Sequence, residues 1–177
     1  LNTTQNKTQF TFETTQRLAL DEPVNLTYRS SFKQEDFSTS KSYNLDTFFA
    51  GVGVSYEINP KLKHSVDIDY LIKNYKISDL SSVSPIIGRS SGENISFVLV
   101  NNISFNTLNS ILIPKNGNFL NYLNYIETPS SSNNGLFKNL LTYKTYKKVN
   151  KNIYSFQSKL GNIISLSDDD VLTDNKF

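Results

Sequence analysis

The sequence predicts an all-β fold, with about eight meandering antiparallel strands forming part of a transmembrane β-barrel. Three observations carry that prediction. Apolar and polar residues alternate at period two over most of the 177 residues, several alternating segments run for 13 to 15 residues, and the connections alternate between short and long. Period two sends successive side chains to opposite sheet faces, so each segment has an apolar side and a wet side. Soluble strands average about five or six residues. A tilted strand that crosses hydrocarbon needs about nine to eleven, and more where it projects beyond the bilayer.

The elements follow in order. Segment 8–17 carries Phe10 and Phe12 on one face, and in 23–36 Val24, Leu26, Tyr28 and Phe32 oppose Asn25, Thr27, Arg29 and Lys33. Segment 46–58 sets Phe48, Ala50, Val52, Val54, Tyr56 and Ile58 against Gly51, Gly53, Ser55 and Glu57. Segment 62–76 is the longest clean alternation: Leu62, His64, Val66, Ile68, Tyr70 and Ile72 against Lys63, Ser65, Asp67, Asp69 and Lys73. A helix would scatter these residues around its circumference. Segment 92–105 groups Ile95, Phe97, Leu99, Ile103 and Phe105 but puts Asn101 on the same face. There an unpaired amide against lipid costs on the order of 1 kcal/mol or more. Segment 117–127, with aromatics on both faces, 136–148, and 151–165 with Tyr154, Phe156, Leu160 and Ile164 complete the set.

Residues 18–22, Asn59-Pro60-Lys61 and the stretch around Asn150 are short connections; 37–45, 77–91, 128–135 and the stretch from 166 are long and rich in Ser and Asn. Strands that traverse a bilayer put odd connections on one side and even ones on the other, and outer-membrane barrels have short periplasmic turns and long outer loops. The connection in SFNTLNSILIPKNG (104–117) falls on the short side by count, yet is the longest of that set. Aromatic residues at Phe48, Phe49, Tyr70, Tyr75 and Tyr154 are expected in interfacial girdles.

Composition excludes several function classes. Eighteen Lys and Arg against sixteen Asp and Glu leave +2, too little to imply a nucleic-acid partner. Without Cys there are no disulfides and no thiolate metal sites. No apolar run reaches the roughly 18 residues of a transmembrane helix, a limit that does not apply to strands. A chain that begins at Leu1, contains no Met and ends on Phe177 is expected to be an internal stretch of a longer protein, residues 1–177 forming one partial domain. The N-x-S/T triplets at Asn2, Asn6, Asn25, Asn94 and Asn102 are attributed to an Asn-rich composition rather than to glycosylation.

Candidate chemistry is sparse. His64 is the only histidine, so a hydrolase of the barrel phospholipase kind would rest on it without a paired nucleophile; an interfacial structural role is expected. Asp168-Asp169-Asp170 lacks the spacing of a calcium loop and is expected to be solvated. Gly51 and Gly53 are expected to permit close packing or curvature. No catalytic residue, cofactor or metal is expected.

Two motifs carry a resemblance. Asn106-Thr107-Leu108-Asn109, four further residues, then Pro114-Lys115-Asn116-Gly117 match in spacing a D-T-R-D, four-residue, P-x-x-G pattern, with both acids replaced by amides and the arginine by leucine. Leu160-Gly161-Asn162-Ile163-Ile164 leads through Asp168-Asp169-Asp170 to Val171-Leu172-Thr173-Asp174-Asn175-Lys176-Phe177, similar to a strand that runs through an acidic stretch into V-R-I-N-D-R-F. Ser84-Pro85-Ile86 adds a weaker echo. On these motifs the chain, over roughly 45–177, resembles the C-terminal barrel of BamA-like outer-membrane protein assembly factors, particularly the alphaproteobacterial type.

The resemblance implies the middle wall of a sixteen-stranded barrel in the bacterial outer membrane, with Asn106, Thr107, Asn109, Pro114, Gly117, Asp170, Asp174 and Phe177 as structural motif positions. It implies a non-enzymatic insertase that works with unfolded outer-membrane β-barrel proteins, accessory assembly lipoproteins and the lipid bilayer. The 104–117 connection then becomes an extended periplasmic turn, in which proline ends pairing and glycine restarts it. Two alternatives stay open: a related translocation or secretion transporter barrel, and a soluble or cell-surface β-sandwich binding module.

Overall fold

The alternating segments form strands with almost the expected limits. A computed structural model describes residues 6–19, 23–37, 42–129 and 135–166. The strands are β1 (Asn6–Ala19), β2 (Val24–Asp36), β3 (Tyr43–Asn59), β4 (Leu62–Ile77), β5 (Gly92–Asn106), β6 (Gly117–Glu127), β7 (Leu136–Val149) and β8 (Asn152–Ser165). They make one antiparallel sheet in the order β1 to β8, each strand paired with its sequence neighbours. A sandwich needs a second sheet to face the first, and the described residues contain one sheet only. The stretch 167–177, with Asp168 to Asp170, Asp174 and Phe177, lies outside the described residues.

Register fixes the two faces. Arg29 pairs with Gly51 and Gly51 with Asp69, while Tyr28 pairs with Val52 and Val52 with Ile68, so polar and apolar rows cross the sheet without mixing. The faces differ in exposure as well as polarity. Val52 and Ile68 are 49% and 53% exposed, whereas the Asp67 and Asp69 side chains are 16% and 14% exposed. A flat sheet would expose both faces alike; here the polar face is the sheltered, concave one and the apolar face is convex.

The convex face carries a band of defined height. On β3 it runs from Phe48 to Ile58 and on β4 from Leu62 to Ile72. Ten residue steps make roughly 33 Å along a strand, or about 25 Å of bilayer normal at a barrel tilt near 40°. That is the thickness of an outer-membrane hydrocarbon layer. Above the band the convex face turns polar: Lys76 Nζ lies 2.6 Å from Asp46 Oδ2, and Gln34 Nε2 donates to Asp46 Oδ1 at 3.3 Å.

At the opposite end the short turn is held by Asn59, whose Oδ1 accepts from the backbone N–H groups of Lys61 and Leu62 at 2.9 and 3.0 Å. The 77–91 connection is less irregular than its composition predicts. It contains a 3-10 turn at Leu80–Ser82 and a helix α1 (Pro85–Arg89), with Ser84 as N-cap and proline at the first helical position. Asp79 caps the 3-10 turn, accepting from the Ser81 hydroxyl at 2.7 Å and its N–H at 2.9 Å, and these bonds hold its carboxyl below the usual range. Val83 and Ile87 pack on a cluster of Tyr43, Leu45 and Tyr75, joined by Phe37 and Ile77. All the strand members of that cluster are concave-face positions, so this connection folds over the outer end of the concave side.

That packing corrects part of the aromatic reading. Tyr75 is 3% exposed within the cluster, and Phe49 lines the concave face beside Asp69 and Tyr125. Neither is in a lipid-facing girdle. Parity decides it: Phe49 follows Phe48 and points the other way. Tyr70 is convex but lies mid-strand, facing Phe97 at 5.4 Å between ring centroids. Phe48 and Tyr154 remain exposed on the convex side toward strand ends.

Candidate functional site: the stapled turn and the concave charge network

Residues 107–116 join β5 to β6. Thr107 N–H donates to Asn118 O at 2.8 Å, and the Thr107 hydroxyl accepts from Asn118 N at 2.9 Å. Asn109 N–H then donates to Asn116 O at 3.0 Å, which extends the ladder beyond the strand ends. The two motif amides work through their carbonyl oxygens. Asn106 Oδ1 accepts from Leu108 N at 2.9 Å, and Asn109 Oδ1 accepts from both Lys115 N and Asn116 N at 2.9 Å. An aspartate oxygen accepts the same bonds, so amide for acid preserves the turn.

Gly117 restarts the strand at φ +111°, where a Cβ would lie 2.2 Å from Thr107 O. That neighbour is backbone and cannot yield, so the position demands glycine. Pro114 precedes the two N–H groups gathered by Asn109 and supplies no donor of its own. The turn is also tied to its neighbours: Asn106 N–H donates to Lys61 O at 2.8 Å, and Asn116 Oδ1 accepts from Lys148 N at 3.0 Å. The turn is thereby linked to the Asn59–Leu62 turn on one side and to the end of β7 on the other. The tip carries Ile111, Leu112 and Ile113, among the most exposed aliphatic side chains described.

A second constellation lies on the concave face and was not legible as a site. Arg29 reaches over β3 to β4, with Nε 3.0 Å from Asp69 Oδ1, Nη2 2.8 Å from Asp69 Oδ2 and Nη1 3.0 Å from Asp67 Oδ1. The intervening positions on β3 are Gly51 and Gly53, where added Cβ atoms would fall 1.8 and 2.0 Å from the aspartate oxygens. The glycines thus form a notch for the carboxylates, which answers the close-packing expectation. The sequence signal was present: two glycines on the polar face of a strand whose neighbour carries two aspartates at the same spacing.

Farther along, Glu127 is fully buried, accepting from Ser96 Oγ at 3.1 Å and Tyr125 Oη at 3.0 Å, with Lys73 Nζ at 3.8 Å. These charges tie β2, β4, β5 and β6 together across the concave side. Among the described residues no group of three His, Cys, Asp or Glu side chains is arranged to hold a metal ion.

His64 and Asn101 meet on the convex face. Asn101 Oδ1 lies 2.6 Å from His64 Nε2, and Tyr56 Oη lies 2.7 Å from Nδ1. A carbonyl oxygen only accepts, so Nε2 carries a proton toward Asn101, while Nδ1 shares a hydrogen bond with the tyrosine hydroxyl. The amide that interrupts the apolar face is therefore paired, and the histidine has a structural partner on each ring nitrogen. Of the sequence-predicted positions, Asn106, Thr107, Asn109, Pro114 and Gly117 come together in one turn.

A family model for the Omp85 superfamily domain matches residues 1–177. No curated protein matches the chain.

Two outcomes test these geometries in the full-length protein. Gly117→Ala is expected to lose about 2 kcal/mol, and Asn109→Leu about 1 kcal/mol, whereas Asn109→Asp folds with the wild-type urea midpoint in detergent. Arg29→Met leaves two sheltered carboxylates facing each other and is expected to cost about 3 kcal/mol, with Arg29→Lys recovering only part because a single ammonium does not bridge both. Urea titration of heat-modifiable mobility reads both.

Proposed function

The chain belongs to the Omp85 superfamily, whose members are barrels of outer-membrane protein insertion and secretion, and from that premise we propose that it is wall of a BamA-like outer-membrane protein assembly factor of the alphaproteobacterial type. Its eight strands would be part of a sixteen-stranded barrel. An unpaired strand edge has no partner in hydrocarbon, so β1 and β8 need neighbours beyond the pairs that join them to β2 and β7. The same constraint acts on every client. A new barrel must be extended strand by strand on an existing edge, by β-augmentation, until it closes on itself. No bond is made or cut, and the reading assigns no catalytic residue and no cofactor. Unfolded barrel proteins arriving from the periplasm are the clients, accessory lipoproteins the assistants, and the bilayer the solvent in which the work is done.

The observation that supports the assembly reading over a transporter is the covered outer end of the concave side. Helix α1 packs there on the Tyr43–Leu45–Tyr75 cluster, while the Arg29 and Glu127 networks lie along the wall below. A conduit for an exported chain needs that side clear. An insertase does not, because its client grows at an edge and meets lipid. The stapled turn, bonded to the Asn59–Leu62 turn and to the end of β7, supplies a periplasmic rim beneath such a wall.

Depletion of the full-length protein in its native cells tests the choice. The assembly reading expects heat-modifiable forms of several unrelated outer-membrane barrels to fall several-fold, with unfolded forms collecting in the periplasm, and wild-type but not Gly117→Ala protein to restore them fully. Loss of one exported protein with the outer-membrane barrels intact would assign the chain to the transporter class.

A further inference from the structure

Within the apolar band of the convex, lipid-facing surface, the described residues include a polar row. In register across β5 to β8 it places Asn101 beside Asn124, Asn124 beside Asn139 and Asn139 beside Asn162. The flanking rows, from Leu99 to Ile164 on one side and from Ile103 to Leu160 on the other, are apolar apart from the hydroxyl of Tyr122. That hydroxyl donates to Asn139 Oδ1 at 2.6 Å. The amides are chained: Asn124 Nδ2 donates to Asn139 Oδ1 at 2.9 Å, and Asn139 Nδ2 to Asn162 Oδ1 at 3.0 Å. At the other end the register partner of Asn101 on β4 is Val66, and His64, two residues nearer the short turn, bonds Asn101 diagonally and links it to Tyr56.

The row is oblique to the membrane. A register row runs perpendicular to the strands, and barrel strands tilt by about 35–45°, so the row climbs as it crosses the wall. Its beginning and end bear this out. His64 is the third residue of β4, next to the short Asn59–Leu62 turn, whereas Asn139 and Asn162 lie three residues from the outer ends of β7 and β8. The polar groups thus climb from near the short-turn edge of the apolar band toward its outer edge, with Leu62 below His64 and the Phe137–Ile164 pair above Asn139 and Asn162. The backbone ladder alone holds the wall, so four amides facing hydrocarbon are an expense that packing does not require.

Each primary amide has two N–H groups and two acceptor lone pairs, and the chain of bonds uses one N–H each on Asn124 and Asn139. The remaining amide groups stand on the convex side, half-buried at Asn101, Asn124 and Asn139 and exposed at Asn162. Phosphodiester oxygens accept N–H, and an ammonium headgroup donates to amide oxygens.

We propose that the Tyr56–His64–Asn101–Asn124–Asn139–Asn162 row is a track for phospholipid headgroups, along which a lipid passes between leaflets with its acyl chains left in the hydrocarbon. No bond is made or broken. The assignment rests on the convex face being lipid-facing, and it adds a lipid-transfer activity to the wall, separate from any client edge.

The test uses full-length protein reconstituted into phosphatidylcholine vesicles containing a trace of short-chain fluorescent phosphatidylethanolamine, with extraction by serum albumin, which is too large to enter. Wild type is expected to release nearly all of the reporter rapidly, where protein-free vesicles release only the outer-leaflet share. The triple variant Asn101→Leu, Asn124→Leu, Asn139→Leu is expected to retain heat-modifiable mobility and slow the inner-leaflet phase about tenfold or more, the rate change for one unpaired polar group in apolar surroundings. The matching Asn→Gln variant should restore much of the rate. Release limited to the outer leaflet by heat-modifiable, vesicle-embedded wild type overturns the track and leaves the barrel standing, as does a triple variant as fast as wild type. A protein that stays in the aqueous phase with detergent-indifferent mobility overturns the lipid-facing assignment, and the track with it.

Discussion

Hydrocarbon offers no hydrogen-bond partner to a peptide group, and the rest of the structure depends on that constraint. Every N–H and C=O of a spanning segment must be satisfied within the protein, which leaves the strand ladder as the solution where the described residues include no helix long and apolar enough to cross. A meander of antiparallel neighbours satisfies the ladder with the shortest connections, and strands of 11 to 17 residues carry it across the layer at a tilt. Once the ladder is fixed, side-chain parity leaves one face for lipid and one for the interior. A one-residue slip would exchange them. Much of the detail is accordingly devoted to register. Arg29 locks β2 to β4 through the notch at Gly51 and Gly53, and the stapled turn sets where β5 ends and β6 begins.

The long strands were legible because their alternation is nearly unbroken. In β3 and β4 six convex positions in each strand are apolar or amphipathic, and only this period gives that pattern. The stapled turn was legible from spacing, since Asn, Pro and Gly each have one local task there. Helix α1 was not, although Ser84-Pro85 is a helix-start signal; five residues give no periodicity to count. The concave network needed the alignment of three strands before Arg29 could be seen to reach Asp67 and Asp69. The girdle expectation fails at Phe49 and Tyr75 because nearness to a strand end does not say which face a residue occupies, and both lie on the concave one.

Asn101 shows how a local defect in the pattern acquires meaning only with the sheet assembled. Along β5 alone it is a polar break in an apolar run. In the sheet it bonds His64 diagonally across its β4 register partner Val66 and stands beside Asn124 in a row continued by β7 and β8. The three surfaces of the wall then have separate work. The concave side is crossed by ion pairs and covered at its outer end, the stapled rim stiffens the short-turn end, and the convex side meets lipid along an apolar band that a polar row climbs.

The orientation of the two faces is tested most directly on β5, where Phe97, Val98, Leu99 and Val100 are all apolar and hydropathy cannot decide which of them meets lipid. Single tryptophans placed in turn at these four positions of the full-length protein, against a background without other tryptophans, can be quenched by brominated acyl chains. Strong quenching at 97 and 99 with little at 98 and 100 is the predicted result, following the exposure of Phe97 and the burial of Val98. Quenching at 98 and 100 instead, or equal quenching at all four, would contradict a wall whose convex side faces the bilayer.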